Sequence, residues 1–125
     1  MDPKQTYLNY IACLNAQDWG QLGKFVADGV THNGNALGLA GYRKMLEKDF
    51  EDIPDLHFNV EMIISEPPYV ASRLRFDCHP EGIFLGLPLN GKYVTFHENV
   101  FYQFENDKIV RVRSVIDKSA IERQL

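Results

Sequence analysis

The sequence lacks the features that mark several large classes of protein. Its 125 residues carry 13 Lys and Arg against 17 Asp and Glu, a net charge of −4, with no block of basic residues. Nucleic-acid binding is therefore not expected, because neutralising phosphates requires a basic stripe. No apolar run approaches a membrane span, and the N-terminus has no apolar signal core. We expect a cytoplasmic protein that binds neither a membrane nor nucleic acid.

Cysteine is equally scarce. Cys13 and Cys78 stand alone without metal spacing, so both are expected to be reduced structural thiols. The histidines form no H-E-x-x-H or H-x-H pattern, and neither His79 nor His97 has a second ligand at metal spacing. No Gly-rich loop follows a strand as a phosphate cradle, and no Ser or Cys nucleophile motif occurs. The sequence predicts no metal site and no cofactor.

What the sequence does contain is typical of one globular domain over residues 1–125. Apolar residues make up 45% and charged residues 24% of the chain, which excludes disorder. The 8 Phe, 6 Tyr and 1 Trp provide more aromatic surface than a small core needs. This excess favours an apolar cavity.

The first half of the chain has helical periodicity. A first helix begins at Pro3, capped by Asp2, and continues through Leu14. A second helix is predicted to begin at Asp18 and to end at Asp28-Gly29, and its apolar stripe includes Phe25 and Val26. An extended segment and a turn are predicted over 30–35. A third ends before Pro54, and its stripe is Tyr42, Met45, Leu46, Asp49 and Phe50.

From residue 56 onward the period changes to that of strands. The first strand places Leu56, Phe58, Val60, Met62 and Ile64 on its buried face. Further strands are predicted over 70–77, 92–104 and 109–116, and 82–91 is a loop that suits a mobile flap. Helices followed by neighbouring strands predict an α+β fold with a mainly antiparallel sheet. A curved sheet wrapped over the three N-terminal helices would form a cone around an apolar cavity.

Four stretches resemble a known family. Residues 10–19 and 25–32 resemble the opening of the nuclear-transport-factor-2-like superfamily, and within it the SnoaL-like polyketide cyclases and ester cyclases. The strand over 70–73 with His79 and Gly82, the loop over 84–92, and the ending from Asn106 to Asp117 are similar to later motifs of that family. The resemblance implies the cone fold. It does not by itself imply one activity, because this fold carries many functions.

Asp117 has two interpretations. It ends the last strand and precedes a short helical segment, so it is a natural helix cap. It also matches the aspartate that SnoaL-like cyclases use as acid and base in an aldol ring closure. A carboxylate at the rim of an apolar cavity would have a raised pKa that suits proton transfer. Both interpretations stay open, and one residue can serve both roles.

The resemblance implies two further catalytic residues. His32 lies where family members place a histidine that faces the pocket, although it also suits a surface turn. Tyr10 falls where the related ketosteroid isomerases carry an oxyanion-hole tyrosine, although a core aromatic is the simpler interpretation. The base and the second acid of those isomerases would fall at Gly34 and Val100, so chemistry by that mechanism is not expected.

Glu98 shares a strand face with apolar residues. A carboxylate there is costly unless it is paired or faces a cavity, so Glu98, supported by Arg73, is a candidate for ligand binding. The simpler interpretation is an ion pair of Glu98 with Arg73 or Arg75. The remaining candidates for ligand binding are His79, Trp19 and Phe50.

Three functions are compatible with these residues. The first is a cofactor-free cyclase or isomerase that moves a proton on a hydrophobic, carbonyl-bearing ligand. The second is a non-catalytic binding protein for a small apolar metabolite. The third is an epoxide or ester hydrolase, which would need an Asp-Arg-Asp set of which Arg73 and Asp117 supply only part. A homodimer through the second face of the sheet, which carries His97, Asn99 and Phe101, is expected from the resemblance.

Overall fold

Helices precede most of the strands, as the sequence predicts. The computed structural model describes residues 2–125. Its helices are α1 (Pro3–Asn15), a 3-10 helix (Trp19–Lys24), α2 (Gly38–Asp52) and α3 (Lys118–Glu122). Its strands are β1 (Val26–His32), β2 (Asn59–Glu66), β3 (Tyr69–Cys78), β4 (Ile83–Phe84), β5 (Leu87–Pro88), β6 (Val94–Glu105) and β7 (Lys108–Ile116).

Five strands form one curved, open sheet in the order β1-β7-β6-β3-β2. Three of its four pairings are antiparallel, and only β1 runs parallel to β7. β3 and β6 pair without a break from Tyr69 opposite Gln103 to Cys78 opposite Val94. The fold is therefore the predicted α+β cone, with α1, the 3-10 helix and α2 on the concave side. No helix among residues 2–125 is both long enough and apolar enough to cross a membrane.

The second predicted helix is shorter than expected. The structure ends the 3-10 helix at Lys24 and places Val26 in β1. The Ile109 main-chain N–H donates to the Phe25 carbonyl at 2.8 Å, which joins this segment to β7. Val26 is fully buried in the strand. The helical spacing was misleading because pairing with the distant β7 decides the conformation of this segment, and local spacing does not report that pairing.

The predicted buried face of β2 is wrong beyond Val60. The strand begins at Asn59, and its register against β3 shifts between Val60 and Met62. The extra residue of such a bulge reverses which side chains face the core. Met62 and Ile64 are consequently 54% and 60% exposed on the convex face, and Ile63 packs against the core instead.

The alternation predicted for β3 is confirmed. Val70, Ser72, Leu74 and Phe76 are all buried on the concave face. Phe96, Val100, Tyr102 and Phe104 of β6 are buried on the same face. Cys13 and Cys78 are buried free thiols, as expected.

Candidate active site

A cavity of about 460 Å³ lies between the concave face of the sheet, α2 and the β4–β5 hairpin. Most of its lining is aromatic or aliphatic, which is the usual character of a small-molecule site. The polar groups are few. They are Tyr10, His32, Asn33, Tyr42, Asp49, Glu98, Tyr102, Ser114 and Lys118.

Glu98 brings a carboxyl group into this apolar space. It is the inward residue of β6 between Phe96 and Val100, and it lies opposite Ile116 of β7. Burial raises the pKa of Glu98 to about 7, the hydrogen bond with Ser114 opposes that rise, and the charge of Asp49 adds to it. A carboxyl group with this pKa is present in both protonation states near neutral pH.

Ser114 connects Glu98 to His32. The Ser114 hydroxyl bonds to Glu98 and lies 3.3 Å from His32 Nε2. Asn33 fixes the position of Ser114, because its side chain accepts from the Ser114 N–H at 2.8 Å and donates to the Ser114 carbonyl at 3.2 Å. Burial lowers the pKa of His32, so this imidazole is neutral at neutral pH.

Two tyrosine hydroxyls form a pair at the helical wall. Tyr10 of α1 and Tyr42 of α2 are hydrogen-bonded at 2.7 Å, and both are buried and line the cavity. Burial is the main reason that the pKa values of Tyr42 and Tyr10 both rise well above the ordinary value of a tyrosine, so both hydroxyls keep their protons. Tyr7 is engaged elsewhere, since its hydroxyl donates to Ser72 at 2.8 Å.

Asp49 is a lining residue that the sequence analysis did not identify. It follows Leu46 on the face of α2 that meets the cavity, and burial raises its pKa to about 6. The sequence did contain a signal, because Asp49 is the one acid on the apolar stripe of the predicted third helix. Tyr42, Ser114 and Tyr102 were also missed as lining residues.

Asp117 is the N-cap of α3. Its Oδ1 accepts from the Ala120 N–H at 3.1 Å, and its own N–H donates to the His97 carbonyl at 3.0 Å. Ile116 and Lys118 line the cavity on either side of it, but Asp117 is not a lining residue. The structure thus shows the capping role. The catalytic role of Asp117 stays a prediction from the resemblance.

Arg73 and His79 lie away from the cavity. Arg73 is on the convex face, where it donates to Glu61 at 3.1 Å and to Asn99 at 3.0 Å, and Arg75 bonds to Asp77. The predicted pairing of Glu98 with Arg73 or Arg75 is therefore wrong, because alternation along β3 directs both arginines outward. His79 is exposed and bonds through Nδ1 to Asp55 at 2.7 Å.

Trp19 and Phe50 form an edge-to-face pair with ring centroids 5.7 Å apart. Neither is a lining residue of the cavity. Phe50 also packs against Phe58, which does line it, so Phe50 supports the wall from behind. Across residues 2–125, no three His, Cys, Asp or Glu side chains come together as a set of metal ligands.

The curved, open cone is the fold of the superfamily that the motifs indicated, and the comparisons identify the family. The model of the SnoaL-like polyketide cyclases matches residues 4–125. The chain belongs to this family. Among curated proteins, none matches it.

Solved structures agree with this assignment. A SnoaL-like polyketide cyclase from Agrobacterium tumefaciens is 54% identical, with a TM-score of 0.98 over 99% of this chain and 98% of that one. AclR from Streptomyces galilaeus, a proposed hydroxylase, is 25% identical, with a TM-score of 0.78 over 98% and 93% of the two chains. IdmH from Streptomyces antibioticus, a proposed polyketide cyclase, shares the fold at 17% identity, with a TM-score of 0.85 over 99% and 98%.

Proposed function

We propose that this protein is a cyclase or isomerase that moves a proton on a hydrophobic, carbonyl-bearing ligand, and that Glu98 is its acid–base residue. Membership of the SnoaL-like polyketide cyclase family supports the reaction class. The observation that carries the proposal is the Glu98 carboxyl group, which lies in an apolar cavity beside Ser114 and without a cationic partner among residues 2–125.

The chemistry follows from the pKa of Glu98. A general base works best when its pKa is close to the working pH, and the value of about 7 meets that condition. The ionised carboxylate takes a proton from a carbon next to a carbonyl, and the electron pair of the broken C–H bond moves into an enolate. The enolate carbon attacks a second carbonyl to close a ring, and the same proton returns to the new alkoxide.

The tyrosine pair is suited to hold the carbonyl oxygen. Two hydroxyls share one hydrogen bond between Tyr10 and Tyr42, so one of their two hydrogens is left over. A buried donor without an acceptor costs about 1–3 kcal/mol, and a ligand oxygen in the cavity would supply the acceptor. The same donor would stabilise the charge that develops on that oxygen in the transition state. His32, linked to Glu98 through Ser114, would keep the carboxyl group in place.

The proposal can be tested with an apolar ketone before the natural ligand is known. We choose 2-tetralone in D2O and follow by NMR the replacement of its α-hydrogens by deuterium. The wild-type protein is expected to exceed the buffer rate, and Glu98→Gln is expected to reduce the catalysed rate by roughly 10²–10⁴-fold, the usual contribution of a general base.

Asp117→Asn is the matched variant. Asparagine caps a helix as well as aspartate, so α3 should persist while the carboxylate is lost. We expect its exchange rate to stay within about twofold of wild type. If Asp117→Asn loses the activity and Glu98→Gln keeps it, the role belongs to Asp117. If the wild type binds 2-tetralone, seen by saturation-transfer NMR, but does not exceed the buffer rate, the proposal fails in favour of a non-catalytic binding protein.

A further inference from the structure

Asp49 is a second carboxyl group in the cavity, and no side chain neutralises it. It lies on α2 with Met45, Leu46 and Ile53, all of which line the same wall. The neighbouring Lys48 is engaged by Asp52 at 2.6 Å on the exposed side of the helix. Across residues 2–125, the Asp49 carboxyl forms no side-chain hydrogen bond and no ion pair; the charge of Lys48 lowers its pKa, but burial and the charge of Asp52 outweigh that effect.

The two carboxyl groups come from opposite walls. Asp49 projects from the helical layer and Glu98 from the concave face of the sheet, so a ligand in the cavity lies between them. The charge of Asp49 helps to raise the pKa of Glu98, whereas burial, Asp52 and Lys48 set the pKa of Asp49. Because the two pKa values are about 7 and about 6, the two carboxyl groups together hold one proton between these pH values.

We propose that Asp49 is a second catalytic acid–base group, which acts on the opposite side of the ligand from Glu98. The inference rests on the proposed function and adds a division of labour to it. The reactive one-proton form has Glu98 ionised and Asp49 protonated: Glu98 removes the α-proton from carbon while Asp49 donates its proton to the carbonyl oxygen. One C–H bond breaks and one O–H bond forms, and the pair ends the step with one proton, now on the other carboxyl group. No oxidant or cofactor is needed.

Other groups around Asp49 can titrate or carry charge. The titratable or charged groups that line the cavity with Asp49 are Tyr10 of α1, His32 of β1, Tyr42 of α2, Glu98 and Tyr102 of β6 and Lys118 of α3, and those beside it on its own helix are Lys48 and Asp52. The tyrosines stay protonated because burial raises their pKa, and burial keeps His32 neutral at neutral pH. The carboxyl groups therefore change protonation within the cavity at pKa values of about 6 and about 7, and burial moves the pKa of His32 below its ordinary 6.5.

The test compares Asp49→Asn with Asp52→Asn in the 2-tetralone exchange assay, over pH 5–9. Asp52 is the matched control, since it lies on the same helix and its side chain binds Lys48 at the surface. For wild type we expect a bell-shaped pH profile, because activity needs one ionised and one protonated carboxyl group. We expect Asp49→Asn to lower kcat by at least tenfold, to change KM little, and to leave a profile with a single limb. Asp52→Asn should stay within twofold of wild type at its pH optimum and keep both limbs, with the profile shifted toward lower pH because the charge of Asp52 helps to raise the pKa of Asp49.

The outcomes separate this inference from the proposed function. If the wild type binds 2-tetralone but does not exceed the buffer rate, the proposed function fails. If the wild type is active and Glu98→Gln is inactive while Asp49→Asn keeps its rate and both limbs, only the role of Asp49 is rejected. If Asp49→Asn raises KM alone with an unchanged profile, Asp49 shapes the cavity and takes no part in proton transfer. Circular dichroism of each variant checks that a lost rate is not lost folding.

Discussion

Glu98 and Glu61 show how differently the two faces of one sheet treat the same side chain. On the concave face, burial raises the pKa of Glu98 to about 7. On the convex face, Glu61 bonds to His97 at 3.0 Å and to Arg73 at 3.1 Å, and these partners, His97 first, lower its pKa. Water and charged partners stabilise the Glu61 carboxylate outside, whereas Glu98 inside the cavity has only its hydrogen bond with Ser114. The same type of side chain is an ion-pair member on one face and keeps its proton up to about pH 7 on the other.

The largest expected difference between the faces is in packing. Leu74 and Arg73 are neighbours on β3, and Leu74 is 1% exposed on the concave face while Arg73 lies outside. Leu74→Ala should lower the free energy of unfolding by about 2–5 kcal/mol, because it leaves a hole in a filled core. Arg73→Ala should cost about 1 kcal/mol or less, because its ion pair is exposed. Urea unfolding measures both, and similar losses would contradict the assigned faces.

The next difference concerns charge and pH. The folded state holds a proton on Glu98 up to a pKa of about 7, above the ordinary 4.5, so wild-type stability falls as pH rises through this range. The Glu98→Gln variant has no ionisable group at this position, so its stability does not fall as pH rises through this range. At pH 8 it should be more stable than wild type by up to roughly 3 kcal/mol, since a difference of one pKa unit corresponds to about 1.36 kcal/mol. At pH 4 the two proteins should differ little in stability.

Glu61→Gln is the control from the other face. In the wild-type protein the pKa of Glu61 is lowered in the folded state. The ionised Glu61 carboxylate therefore stabilises the protein above the ordinary pKa of a glutamate, and this contribution is lost on acidification. The variant should be slightly less stable than wild type at pH 8, the opposite sign to Glu98→Gln. Urea unfolding at pH 4 and pH 8 gives both differences. If both variants were more stable than wild type at pH 8, the two faces would not differ in how they treat a carboxylate.

Patterns within single elements could be predicted from the sequence. Alternation along the strand placed Glu98 with Phe96 and Val100, and the cap preceding α3 was recognised at Asp117. The same alternation, applied to β3, would have excluded Arg73 as a partner of Glu98, because Ser72 and Leu74 already occupy the inward positions.

Features that depend on distant parts of the chain could not be predicted. The parallel pairing of β1 with β7 converts an apparent helix at Val26 into a strand, and the bulge after Val60 turns Met62 outward. Asp49 was noticed only as a member of a helical stripe. Its role depends on what α2 packs against, and that is a property of the whole fold.

The smallest expected change in stability belongs to the exposed apolar residues of the convex face. Phe101 is 59% exposed, and Ala71 and Ile64 lie beside it in register on β3 and β2. Val115 extends this patch on β7, at 70% exposure. An apolar patch that spans four strands is typical of an interface, and we propose that a second copy of the chain covers it.

Replacing Phe101 should therefore change association more than folding. Light scattering at micromolar concentration is expected to give twice the mass of one chain for wild type and the mass of one chain for Phe101→Asp. Ile83→Asp is the control, since Ile83 is even more exposed, at 73%, but lies on the β4–β5 hairpin, and it should leave the dimer intact. A wild-type monomer would reject the dimer, and the convex face would then differ from the concave one only in its exposure to water. Dissociation by Phe101→Asp but not by Ile83→Asp would show that the convex face buries apolar groups against a second chain, as the concave face buries them against the helices.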